Sequence, residues 1–338
     1  MATTTTTTAK PRKLRAKPHD RRKHLGGSDA AAVMGLSPWT TPVQLWMEKT
    51  GRAPERKPDP MRERVLKRGK KLEPIVLAMV VDKLRERGVD VELVARNRRY
   101  SDPTYPFLNV EIDFELVITG VLTINGEDIR FDREEVNGDC KTVTGFARKK
   151  WGDEDTEDVP IEYAAQFMTG LGVTGRDFCL VAALIGLDDV AIYWVKRDDE
   201  TLAAMWPKLV DFWHEHVLAD VAPDPLKYSD ITALYPLDNG RTVEATPEVA
   251  EAAREHRRLG LEMDALKARR DMLQLTLGEY MADFKTLTVD GRPVYTLASF
   301  EDTSIDTTAL RRDHPDWAAL YARGGTVRAL RPNKNFRG

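Results

Sequence analysis

The alternation of apolar and polar positions divides the chain into helical and strand-forming stretches. Val65, Leu66, Leu72, Ile75, Val76, Met79, Val80 and Leu84 recur at helical spacing. They predict a long helix from Met61 to Arg87, stopped at Gly88. Glu73 falls inside that stripe, just before Pro74. An acid there is costly unless it is paired or binds a metal; a surface-edge Glu is the other reading. Two shorter helices precede it. One follows the Gly26-Gly27 turn, with Ser28 as N-cap and Gly35 as stop, and the other runs from Pro42 through Trp46 to Lys49, closed by Gly51. A turn entering a helix presents backbone N–H groups that suit a phosphate, although capping without a ligand reads the same way.

Beyond Gly88 the period becomes two. Val91–Tyr100 alternates loosely, and within the stretch 107–118 the alternation is clear from Val110 to Leu116. Val110, Ile112, Phe114 and Leu116 share one face; Glu111, Asp113 and Glu115 share the other. Asn125-Gly126 between β-prone runs predicts a hairpin. A polar segment then leads into a strand holding Gly138-Asp139-Cys140-Lys141-Thr142, with Cys140 turned toward a core. Such a meander would bring Asp113 beside Asp139. Helices are expected near 146–151 and 161–170, the second with Tyr163 and Gln166 on one face. A strand over Phe178–Ile185, apolar throughout and so buried on both faces, is followed by a second over Val190–Lys196, with Gly186-Leu-Asp-Asp189 between. A Trp- and Leu-rich helix from Asp199 to Leu218 has Pro207 as its candidate bend.

Pro223-Asp224-Pro225 reads as a linker. Residues 246–284 then carry Val249, Ala252, His256, Leu259, Met263, Leu266, Leu273, Leu277 and Phe284 in a coiled-coil-like stripe. That stripe suits an oligomer contact and packing within its own domain equally. A hairpin at Asp290-Gly291, a helix over 307–321 and a basic end (Arg328, Arg331, Lys334, Arg337) complete the chain. The pattern is α/β (α+β): a mixed sheet flanked by helices, then a C-terminal helical extension and a small β-hairpin. The domain expectation is a disordered basic tail (1–20), a main domain (21–222), a linker (223–245), and a helical arm with a small α/β tail (246–338).

Composition narrows the function classes. The 338 residues are 42% hydrophobic and 31% charged, ordinary for a globular protein. The absence of a long apolar run excludes a membrane-spanning helix, and the Thr-rich, then basic, start is no secretory signal. The 2 cysteines offer neither a disulfide framework nor a cysteine zinc site, which suits a reducing cytoplasm. Net charge is -3, yet eight Lys/Arg stand against one Asp between Lys10 and Lys23. Such a tract is a solvated tail or a source of nonspecific phosphate attraction. The feature with chemistry is Asp139-Cys140-Lys141. A carboxylate and a lysine on one face of a strand can hold a divalent metal and orient a water. A bare D-x-K also recurs by chance, so its meaning rests on the acids around it.

Taken in order, several motifs resemble one family. They are Arg21 with Leu25-Gly-Gly-Ser28-Asp29, Thr41-Pro42 with Leu45-Trp46 and Lys49-Thr-Gly51, Gly69 with Leu72-Glu73-Pro74, Asp113, Asp139-x-Lys141-Thr142, and Tyr163 with Gln166. Over residues 21–218 the chain resembles the lambda-exonuclease type of phage recombination nuclease. This YqaJ-like viral recombinase group belongs to the PD-(D/E)xK nucleases. Ser304-Ile-Asp306 and Leu310 to His314-Pro315 look like phage members too. The resemblance implies a restriction-endonuclease-like core and a Mg²⁺-dependent 5′→3′ exonuclease acting on ends of double-stranded DNA. It would leave 3′ overhangs for a single-strand annealing protein, in the cytoplasm of a bacterial host. Asp113 and Asp139 would bind Mg²⁺, two ions per site, with Mn²⁺ as substitute, and Glu73 would complete the acidic cluster directly or through water. Lys141 would orient the attacking water. Tyr163 and Gln166 would position nucleic acid or water, and Arg21 and Ser28 would contact the 5′ phosphate. A homo-oligomer is compatible with the family, and no membrane is involved. Two departures stand out: the family usually has Glu where Asp139 stands, and the hairpin lengthens the step from Asp113 to Asp139. Glu111, Glu115, Asp132 and Glu135 are alternative second acids. The other readings are a repair or CRISPR-adaptation nuclease of the same fold, and an inactive DNA-binding scaffold.

Overall fold

A computed structural model describes residues 20–54, 59–186, 190–301, 303–322, 327–333 and 336. The expected tail 1–20 lies outside these residues except for Asp20, as do Lys334, Arg337 and Leu187-Asp188-Asp189. The chain forms two compact units, Met1–Leu234 and Tyr235–Gly338.

The first unit opens with a 3₁₀ turn, Arg21–Lys23, followed by α1 (Gly27–Val33), α2 (Pro42–Lys49) and α3 (Pro60–Glu86). Ser28 is not the N-cap of α1. Gly26 is, because the Gly26-Gly27 turn starts the helix two residues earlier, and the Asp29 carboxylate accepts the Gly26 N–H at 2.9 Å. In α3 only the part from Leu72 onward packs on the sheet. Val65 and Leu66 of the expected stripe are therefore exposed; Ile75, on the packed part, faces away from the sheet and is exposed too, and Leu77 joins the core instead.

The sheet runs in the order β1 (Asp90–Ser101), β2 (Asn109–Ile124), β3 (Glu127–Val143), β4 (Phe178–Ile185), β5 (Val190–Lys196). Neighbours are antiparallel except β3 and β4, which are parallel. Parallel neighbours need a crossover, and α4 (Ile161–Thr174) lies within it. The β2–β3 turn places Asn125 and Gly126 at φ 52 and 80, the left-handed pair such a hairpin requires. The expected polar break before Asp139 is absent, and β3 runs unbroken from the turn to Val143. On the face toward α4 and α5 (Asp199–Asp211) lie Val181, Ala183, Tyr193 and Val195. On the face toward α3 lie Leu180, Ala182, Ile192 and Trp194. Apolar continuity in β4 thus reflects a strand covered on both sides. The helix after β5 contains Pro207 and continues beyond Asp211 as a π-helical stretch, Phe212–Leu218.

The segment expected as a linker contains α6 (Tyr228–Leu234). Buried Asp230 anchors it: the Thr41 hydroxyl donates to Oδ1 at 2.7 Å, and the N–H groups of Leu226 and Lys227 donate to Oδ2. The second unit holds α7 (Pro247–Met281), the β6–β7 hairpin (Thr286–Val289, Arg292–Thr296), α8 (Thr307–Asp313) and α9 (Pro315–Tyr321). The single helix expected over 307–321 is broken at His314, because Pro315 disfavours helical backbone in the residue before it. Leu259, Met263, Leu266 and Leu273 of the α7 stripe are exposed.

One glycine in β3 is sterically obligatory. A Cβ on Gly138 would lie 2.0 Å from the ring of buried Phe114, its partner across β2. Gly138→Ala is expected to destabilise the protein by about 2–3 kcal/mol through overpacking. Thermal unfolding measures it, and an unchanged Tm would contradict the close packing.

Candidate active site

The β2–β3 register sets the acids. Phe114 faces Gly138 at the end of the ladder, and Asp113 and Asp139 are the residues that follow it on the two strands. Asp113 Oδ2 accepts the Cys140 N–H at 3.0 Å. Burial, and then the Asp139 charge, push the Asp113 carboxyl up to about 7. The alternative acids have other partners. Glu115, 1% exposed, accepts from Arg176 at 2.8 Å and Arg98 at 3.2 Å, and from the Tyr100 hydroxyl. Glu135 also pairs with Arg176, Glu111 pairs with Arg99 at 2.7 Å, and Asp132 is exposed. Asp113 is thus the acid the hairpin brings to Asp139.

Helix α4 supplies the groups above the acids. Gln166 Nε2 donates to Asp139 Oδ2 at 2.8 Å, while Lys141 Nζ donates to Gln166 Oε1 at 3.4 Å. Lys141 also forms an ion pair with Asp139 Oδ1. Its ammonium lies 5.2 Å from the ring centroids of both Tyr163 and Phe167. Burial works to lower the Lys141 ammonium, but the charges of Asp139 and Asp113 leave it above its ordinary value. Burial holds the Asp139 carboxyl up against the opposing pull of Lys141. Burial also raises the Tyr163 hydroxyl. Glu73 approaches from α3 on the other side of the sheet and is half-buried. Burial and then the Asp113 charge raise its carboxyl, and its backbone carbonyl accepts the Cys140 thiol at 3.9 Å. Cys140 packs toward the α3-side core.

A cleft of about 440 Å³ joins these acids to the α1 turn, and Arg21, Ser28, Lys70, Asp113, Asp139 and Gln166 line it. Lys141, Tyr163 and Glu73 are not among its lining residues. Arg21 donates to Ser28 Oγ and to Asp29 Oδ1, each at 3.3 Å. The buried Lys49 ammonium donates to Asp29 Oδ2 at 2.6 Å and to the Arg21 carbonyl at 2.8 Å. Lys49 and Asp29 therefore fix the Arg21 backbone and the α1 turn, a role that local sequence pattern did not assign them. Because Asp29 takes the Gly26 N–H, the turn offers a phosphate fewer donors than its sequence suggested.

Residues 18–177 match the model of the YqaJ-like viral recombinase domain. Over this span, a little under half of the 338 residues, the chain is similar to that domain. The uncharacterized protein YqaJ of Bacillus subtilis (strain 168) is 29% identical over 206 residues, 60% of this chain and 56% of that protein. The chain thus spans little more than half of this relative's length. Among solved structures, an alkaline exonuclease (LHK-Exo) from Laribacter hongkongensis has a TM-score of 0.39 at 18% identity, covering 60% of this chain and 91% of that one. Its complex with dAMP has a TM-score of 0.38 at the same identity and coverage. The matched residues include Arg21, Ser28, Glu73, Asp113, Asp139, Lys141, Tyr163 and Gln166.

The acids of this site fit a hard cation. Among the described residues no group of three His, Cys, Asp or Glu side chains converges as a preformed metal cage. The Asp113–Asp139 pair is nevertheless suited to one. Asp139 Oδ1 is buried without a hydrogen bond of normal geometry, and Asp139 raises the Asp113 carboxyl. A cation beside them would relieve both. Oxygen donors, few in number, match Mg²⁺, which retains several waters of its own.

Proposed function

We propose that this chain is a Mg²⁺-dependent deoxyribonuclease that digests double-stranded DNA from its ends. The observation that supports it best is the meeting of Asp113, Asp139, Lys141 and Gln166 beside a cleft whose other wall holds Arg21 and Ser28. In this reading Asp113 and Asp139 hold the metal, two ions per site, with Glu73 completing the acidic cluster directly or through water; Mn²⁺ substitutes. A bound ion offsets phosphate charge and makes hydroxide available near neutral pH. Lys141 is held charged by Asp139, so it acts as a positioned cation rather than a proton acceptor. It orients the attacking water and stabilises charge that develops on the phosphate. Gln166 fixes the carboxylate through Nε2 and the ammonium through Oε1. Tyr163 supports the ammonium with its ring face. Arg21 and Ser28 receive the terminal 5′ phosphate.

The 5′→3′ polarity, the 3′ overhangs and a single-strand annealing partner follow from the motif resemblance. So does a cytoplasmic setting; among the described residues no helix is long and apolar enough to cross a membrane. End dependence has a direct test. With Mg²⁺, linear duplex DNA is expected to be degraded while covalently closed and nicked circles persist. Separate 5′ and 3′ labels report the polarity. Preference for a circle would overturn the end-directed reading and favour a structure-specific repair nuclease.

A further inference from the structure

Two exposed aromatic rings lie on segments that lead to the Lys141 assembly. Phe146, 96% exposed, follows Lys141 closely in the chain, on the 3₁₀ turn Gly145–Lys150. The same turn carries Arg148, Lys149 and Lys150 in a row, all exposed. Trp39, 63% exposed, packs on Tyr163 with ring centroids 5.6 Å apart. Trp151, which ends the turn, packs on the same tyrosine at 5.8 Å. Lys150 reaches Glu162, the neighbour of Tyr163, at 3.5 Å. Tyr163 in turn lies against the Lys141 ammonium. Trp39 and the basic turn are thus both anchored on the tyrosine beside the acids.

Bare flat rings among consecutive cations match one kind of partner. An apolar protein surface would leave the exposed charges of Arg148 and Lys149 desolvated. A single nucleic-acid strand has open base faces for the rings and phosphates for the cations. The bases of a duplex are already stacked on one another and offer their faces only at an end.

We propose that Trp39, Phe146 and the Arg148-Lys149-Lys150 run form a track that stacks and neutralises a single-stranded nucleic-acid segment adjoining the Lys141 site. The proposal rests on the nuclease reading for the polymer that reaches the site, and it adds a second binding surface outside the acidic cleft.

The test uses the full chain in EDTA, so that binding is read without hydrolysis. The probes are a fluorescein-labelled oligo-dT, the same strand carrying one 2-aminopurine, and a blunt duplex. Phe146→Ala is expected to weaken oligo-dT binding by about 5- to 100-fold, the worth of one stacked base. It should also abolish the 2-aminopurine quench, while Phe146→Tyr retains both. Trp39→Ala should act in the same direction. Blunt-duplex binding should change by less than about twofold, since its bases present few free faces. Because Phe146 is almost wholly exposed, the melting temperature should match the parent protein. Unchanged oligo-dT affinity and quench in Phe146→Ala would overturn the track, as would an equal loss on both probes. Failure of the nuclease reading would show separately, as parent protein that leaves linear duplex intact in Mg²⁺.

Discussion

Replacing Asp139 with Ala or Asn is expected to slow digestion of linear duplex DNA by about 10³-fold or more, about 4 kcal/mol of transition-state stabilisation. Asp139 is the hub of the site: its Oδ2 takes the Gln166 amide and its Oδ1 faces Lys141. The Ala variant removes both carboxylate oxygens and also leaves a buried ammonium with Gln166 as its remaining hydrogen-bond acceptor. The Asn variant keeps the shape and an oxygen for Gln166, and so separates lost chemistry from lost packing. Duplex binding should survive in both, because removing a negative charge near a phosphate does not oppose association. Single-turnover digestion, read beside a binding isotherm in chelator, checks both halves. Full activity in Asp139→Ala would remove Asp139 from the site.

The largest stability effect is expected at Arg176. Its guanidinium serves Glu115 at 2.8 Å, Glu135 at 3.0 Å and the Asn137 side-chain oxygen at 2.8 Å, and it lies over the Tyr100 ring. Glu115 and Asn137 are paired across β2 and β3, two positions along from Asp113 and Asp139. Arg176→Ala leaves Glu115 buried with Arg98 as its remaining ion-pair partner. Breaking a buried pair from one side costs about 3 kcal/mol, which lowers Tm by roughly 6–12 °C in a domain of this size. Adding Glu115→Gln should recover much of the loss, because the uncompensated charge is then gone. Equal Tm values for the parent and Arg176→Ala would show that Arg98 and Tyr100 suffice for Glu115.

The legible parts of the fold were those with local patterns. Asn125-Gly126 fixed a hairpin, the apolar run of β4 marked a doubly covered strand, and the alternation from Val110 to Leu116 separated core from acids. Given the hairpin, Asp113 beside Asp139 followed by register, and the one-turn spacing of Tyr163 and Gln166 carried over to their shared contact with Lys141. The less legible parts depend on residues far apart in sequence. Arg176 meets Glu115 across 61 positions. Asp230 caps its own helix while binding Thr41 across 189. No periodicity announces either contact. The α1 cap differs from its sequence expectation for a local reason: Ser28 is a favoured capping residue, but Asp29 closes the turn from inside the helix. The exposed half of α3 shows the limit of an apolar stripe, which marks a face without saying how much of it the sheet covers.

The most direct test of the central claim is the position of a metal in crystals of the protein soaked with Mn²⁺. Anomalous difference density should appear within coordination distance of both the Asp113 and Asp139 carboxylates, and should be lost in Asp139→Asn. Density at other acids, with none between these two, would contradict the site as it is drawn from the β2–β3 register.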